Sequence, residues 1–217
     1  MKSKITFFTL FFSITFFAQE KEEKSIESYQ LEYIHSGNKF LSKSKGLNAL
    51  YSFYFATSFN FDNEPMTEYE KYARTKVDSL LPFYQAIEKE KWKGKWKLKQ
   101  LKFNEYNYEY IEITDSTVIF YNKDSINTPC RIEKIKFANY DKLNMFNFYK
   151  CLEFENNEIW EFTFEKVKGE KRLIIFIVRN TSGTGYFLVD DRSLIKDRKK
   201  RKEAIKQEIK TYYVLEE

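Results

Sequence analysis

From residue 94 onward the chain is a succession of short alternating segments broken by turn residues at close intervals, a texture that only β-sandwiches and barrels accommodate well. The hairpin centred on Lys168-Gly169 constrains it most. It places Phe164 opposite Leu173, Phe162 opposite Ile175 and Trp160 opposite Ile177, and sets Glu165 across from Arg172 as a favourable charge pair. Side chains of a strand alternate between two faces, so these apolar residues share one face. A loop through Gly183 returns residues 185–190 beside them, adding Phe187 and Val189. A two-residue turn at Asn156-Asn157 sets Cys151 opposite Phe162 and Tyr149 opposite Phe164. The resulting face of Trp160, Phe162, Phe164, Leu173, Ile175, Ile177, Phe187 and Val189 is predicted to point inward.

Eight candidate strands follow from the pattern: 95–103, 106–114, 117–122, 130–138, 144–154, 158–167, 171–179 and 185–190. Joined as consecutive hairpins, they predict an antiparallel up-and-down eight-stranded barrel. The segments around it are helical in character, which makes the fold class α+β and mainly β. Residues 26–34 suit a short helix that Gly37-Asn38 would end. In residues 49–61, Tyr51, Phe53, Phe55, Phe59 and Phe61 alternate with smaller or polar residues, which favours a strand; a buried helix is the alternative. Pro65 suits the first turn of a helix whose stripe is Tyr69, Ala73, Val77, Leu80, Tyr84 and Ile87, with Pro82 expected to kink or split it. Residues 193–212 suggest a closing helix with a thin stripe of Ala204, Ile205, Ile209 and Tyr212.

The N-terminus reads as an export signal. Lys2 and Lys4 precede an apolar run over residues 5–17, and Ala18 leads into polar sequence. Thirteen residues at about 1.5 Å each fall short of a roughly 30 Å bilayer core, so a permanent span is not expected. The expected organisation is a signal peptide over 1–18, a mainly helical segment over 19–92, a barrel over 93–192 and a helical tail over 193–217. Residence is expected in the periplasm or outside the cell. The formal net charge of +5 drops by two with the leader and steers partners only weakly. In an oxidising compartment, Cys130 and Cys151 are a pairable set. A turn centred on Tyr140-Asp141 sets them directly opposite, which favours a disulfide over two buried free thiols.

The first strand opens with Gly94-Lys-Trp96, after a helical lead-in. A Gly-x-Trp at the start of an eight-stranded up-and-down barrel resembles the lipocalin family, over about residues 94–192. The resemblance implies that Trp96 closes one end of the barrel and that Arg192, after the last strand, packs across it. No ligand class follows from it. The motif has a physical reason of its own: a large aromatic plugs the open end, and the glycine turns the chain tightly from helix into strand.

Several chemistries are argued against. His35 is the lone histidine and no serine stands in a nucleophile context, so no catalytic residues are assigned. One His and two Cys cannot fill a tetrahedral zinc site, and no metal or cofactor is expected. The stretch at 180–185 is not a phosphate-cradling loop. Glu153, Glu155, Glu158, Glu161 and Glu165 cluster around one hairpin; Glu161 and Glu165 are read as solvated, and Glu153 as inward-facing near Trp160. The basic run over 196–202 reads as a solvated helix face, with anionic lipid or an acidic partner as the alternative and nucleic acid excluded by export.

The expectation is therefore a non-enzymatic exported protein that binds a small apolar or amphipathic molecule, with Trp160, Phe162, Phe164, Tyr149, Ile175 and Phe187 as the lining. The competing expectation is a protein–protein interaction module of envelope-scaffold, inhibitor or immunity type, its barrel filled by its own side chains and its partner an envelope protein.

Overall fold

The computed structural model describes residues 25–59, 65–101, 107–143, 147–181, 196–207 and 210–216. The expected leader, Phe187 and Val189 with the strand over 185–190, and Arg192 lie outside the described residues. Helices α1 (Ile26–Ser42), α2 (Gly46–Thr57) and α3 (Glu68–Trp92) lead into strands β1 (Gly94–Gln100), β2 (Tyr110–Ile113), β3 (Thr117–Tyr121), β4 (Arg131–Lys134), β5 (Cys151–Glu153), β6 (Ile159–Val167) and β7 (Glu170–Arg179). Helix α4 (Arg198–Gln207) and strand β8 (Tyr212–Leu215) close the chain. The eight strands form one antiparallel up-and-down sheet in the order β4-β3-β2-β1-β8-β7-β6-β5, curled into a half-barrel. Its two edges touch through a bridge between Phe137 and Leu152.

The β6–β7 hairpin has the expected register, with Trp160 opposite Ile177, Phe162 opposite Ile175, Phe164 opposite Leu173 and Glu165 opposite Arg172. Lys168 and Gly169 both take positive φ, 52° and 92°, as a two-residue turn matched to strand twist requires. The β5–β6 hairpin differs by one residue. Its loop holds three residues, 155–157, with Asn157 at φ 65°, so Cys151 stands opposite Glu161 and Leu152 opposite Trp160. A one-residue slip exchanges the two faces of a strand. Tyr149 and Cys151 therefore belong to the outer, helix-covered side, and Tyr149 is not part of the barrel lining.

The place beside β7 is filled by β8, where Val214 pairs with Arg172 and Leu173 with Tyr213. The closing helix is accordingly shorter than residues 193–212; the Asp197 carboxylate accepts from the N–H groups of Lys199 and Lys200 at its start. Among the described residues no helix is long and apolar enough to cross a membrane.

Two cores lie on either side of β5 and β6. The inner one joins Trp92, Trp96, Ile111, Phe120, Leu152, Trp160, Phe162, Leu173 and Tyr213. The outer one packs the helices against Ala138, Tyr140, Leu143, Phe148, Tyr149, Cys151 and Ile159. Its centre is α2, the segment whose alternation suggested a strand. Ser52, Phe53, Tyr54, Ala56 and Thr57 are all buried, so the helix is enclosed over most of its surface, and Asn48, Tyr51 and Phe55 mark its more open side. Tyr54 stacks on Phe148 with centroids 3.9 Å apart. Gly37 does not end α1 but lets it approach α2: a Cβ there would lie 2.7 Å from the Phe53 ring. Helix α3 continues through Pro82.

Candidate functional site

Gly94 and Trp96 stand at the junction of α3 and β1. Gly94 has φ 129°, a backbone conformation that favours glycine; the 2.6 Å approach a Cβ would make to Leu215 Cδ1 is to the tip of an exposed side chain that can move aside. Trp96 is fully buried and its Nε1–H donates to the Trp92 carbonyl at 2.7 Å, tying helix end to strand start. Among the described residues Lys171 lies over this ring: its Nζ is 5.3 Å from the Trp96 ring centroid and 4.2 Å from that of Phe164, and donates to the Lys91 carbonyl. Burial lowers the pKa of Lys171.

The cysteines do not pair. Tyr140–Lys142 forms a turn of 3₁₀-helix instead of a hairpin apex, and Ala138 stands at Cys151, donating its N–H to the Cys151 carbonyl. Cys130 is exposed and bonded to the Phe120 carbonyl, whereas Cys151 is a buried free thiol whose pKa burial pushes well up.

The most concentrated polar chemistry lies where β4 begins and the β5–β6 hairpin turns. Arg131 stands opposite Phe120 and Glu133 opposite Val118, so both side chains belong to the inner face. The Arg131 guanidinium lies 4.9 Å from the Phe154 ring centroid, 5.3 Å from Phe120 and 5.7 Å from Trp160. Its Nε donates to Glu133 at 2.7 Å, Nη1 to Glu158 at 2.9 Å and Nη2 to Asn156 Oδ1 at 3.1 Å. Burial works to lower the Arg131 pKa, but hydrogen bonding with Tyr108, Glu133 and Glu158 raises it on balance. The Tyr108 hydroxyl is itself shifted up, chiefly by burial. Two carboxylates share one guanidinium, and its planar face stacks on rings that cost it no hydrogen bond. Such a cluster can hold strands together or present a ring-lined charged rim.

Sequence reading placed Glu158 in an acidic hairpin but missed Arg131 and Glu133. Their signal was the Arg-x-Glu spacing, which puts both on one face of a strand. Two carboxylates need correction. Glu153 faces outward, ion-paired with Lys142 and Lys136, and the Lys142 hydrogen bond is the first of the causes that lower its pKa. Glu161 is on the outer face as expected, yet it is only 6% exposed, because residues 147–150 cover that face. Burial raises its pKa, against hydrogen bonding from Asn147 and the charge of Lys150. Of the expected lining, Trp160, Phe162 and Ile175 are in the inner core and Phe164 is packed against it. Among the described residues no group of His, Cys, Asp and Glu could hold a metal ion. No family model, curated protein or solved structure matches this chain.

Proposed function

We propose that the chain is an exported, non-enzymatic interaction module, a barrel filled by its own side chains that presents its outer surfaces to a protein partner. The observation that carries this reading is the interior. Trp96, Ile111, Phe120, Phe162 and Leu173 are 0% exposed. A chamber of ligand size would leave its lining bordering free space, and these side chains border none; eight-stranded barrels are narrow enough to be filled this way. The helical layer supplies apolar groups for a partner: Met66, Tyr69, Tyr72 and Phe83 of α3 and its approach are exposed, Phe83 by 61%.

A second reading is favoured by the Arg131 cluster. A small amphipathic molecule could lay an apolar body against Trp160 and Phe154 and a polar end beside Arg131, using the partly buried Tyr108 and Ile177 at that end. Native mass spectrometry of the protein purified from its own envelope fraction separates the two. Co-purification of a second polypeptide is the expected result; a stoichiometric small mass would replace the first reading with the second.

A further inference from the structure

The seam between β4 and β5 is unlike every other junction in the sheet. Elsewhere neighbouring strands are joined by ladders, as from Trp160 opposite Ile177 to Val167 opposite Glu170. At the seam, a single bridge pairs Phe137 with Leu152, flanked by Ala138 N–H donating to the Cys151 carbonyl at 2.9 Å and Glu153 N–H to the Lys136 carbonyl at 2.8 Å. Toward the Arg131 end side chains take over. Arg131 reaches across to Glu158 and Asn156, and the Glu155 N–H donates to Glu133 Oε2 at 3.1 Å. Beneath these contacts lie Phe120, Phe154 and Trp160, in mutual contact with centroids 5.4 to 5.9 Å apart.

We propose that this seam is a gate: β4 and the β5–β6 hairpin part there within the native protein, and the Arg131 clasp is the latch. Local openings follow the line of fewest backbone bonds. Parting the seam breaks two backbone bonds, the Lys136–Glu153 ion pair and the clasp, draws Ala138 from the edge of the outer core, and leaves the β6–β7 ladder intact. It exposes the rings that the closed barrel encloses, to which a flat apolar molecule then has access. The latch sets the population of the open form, because a buried guanidinium shared by two carboxylates is held far more firmly than an exposed pair. The proposal goes beyond the interaction reading and holds whatever the partner is.

Native-state hydrogen exchange of the full chain in rising urea tests it. The amides of Ala138, Glu153 and Glu155 report the seam, and those of β6 and β7 report the sheet. The seam amides are expected to exchange at least tenfold faster and with a weaker urea dependence. Exchange of both sets in one step, with one urea dependence, would overturn the gate. Arg131→Met keeps the apolar stem and removes the latch. It should accelerate the seam amides tenfold or more while leaving β6 and β7 unchanged, and raise the affinity for the fluorescent probe N-phenyl-1-naphthylamine by a similar factor. Equal acceleration of both sets would mean that Arg131 supports the whole fold and is no latch. Faster seam exchange without a gain in probe affinity would end its role as an entrance. Should the variant fail to fold, the wild-type comparison decides the matter alone.

Discussion

Glu161 shows how a single carboxylate can oppose the fold it belongs to. Its pKa is raised by burial beneath residues 147–150, so the folded state binds this proton more tightly than the unfolded chain does. Stability contributed by this group is therefore fully present below the ordinary glutamate pKa of about 4.3 and is lost as pH rises through the raised folded value. Glu161→Gln, whose amide oxygen can still accept from Asn147, should melt at a higher temperature than the wild type at pH 7.5 and show no advantage near pH 4. Thermal scans at the two pH values check this, and an advantage largest at low pH would mean that Asn147 and Lys150 hold the carboxylate ionised. The cysteines give a second test at this level. Without reductant or denaturant, iodoacetamide should modify Cys130 alone, with Cys151 reacting only on unfolding, because one thiol is exposed and the other buried with a raised pKa. A mass two hydrogens lighter and inert to alkylation would restore the disulfide.

Strand β8 occupies the middle of the sheet, between β1 and β7, although it comes last in the chain. Removing residues 208–217 should therefore abolish cooperative unfolding and near-UV circular dichroism, since it parts β1–β4 from β5–β7; a barrel closed by residues 185–190 would survive the truncation. Tyr213 is the anchor, 1% exposed, with its hydroxyl donating to the Tyr108 carbonyl at 3.2 Å. Tyr213→Ala should cost about 3 to 5 kcal/mol and Tyr213→Phe about 1 kcal/mol in urea titrations. The contrast between β8 and β7 explains what was legible in the sequence. The β6–β7 register could be read because Lys168-Gly169 fixes it locally and the facing residues are uniformly apolar. The sequence Tyr-Tyr-Val-Leu of β8 is four residues long, has no adjoining hairpin turn and gains its place only through pairing with distant strands. Helix α2 was ambiguous for a different reason: it is buried over most of its surface and carries aromatic residues even on its more open side, which blurs the periodicity that distinguishes helix from strand. The Arg131 cluster was hidden because its members come from three separate stretches of chain, which meet only when the sheet curls.

The two cores share a wall. Strand β6 turns Trp160 and Phe162 into the barrel and Ile159 and Glu161 toward the helical side, and β5 does the same with Leu152 and Cys151. Neither core can lose its packing without stripping one face from these strands, so the helical layer and the half-barrel are expected to unfold together. The helical layer packs first on itself, α2 against α1 and α3, and is tied to the sheet through Tyr54 on Phe148 and Tyr51 against Tyr149. Phe148→Ala in the outer core and Phe120→Ala in the inner core should each lower stability by about 3 to 5 kcal/mol. Both should shift one common transition, with the helical signal at 222 nm (a wavelength set by peptide absorption) and the aromatic near-UV signal moving in step. Two separated transitions, with Phe148→Ala moving only the helical one, would instead make the layer a detachable domain. Coincident loss has a consequence for the seam as well. With both cores locked to β5 and β6, the mobile partner in an opening is β4, held on its free side by Arg131, Glu133, the Phe137 bridge and the Lys136–Glu153 ion pair. A gate hinged on β4 leaves the helical surface undisturbed, so partner binding on the helices and opening at the seam should proceed independently; Arg131→Met should then leave partner affinity, measured by isothermal titration, within about twofold of the wild type.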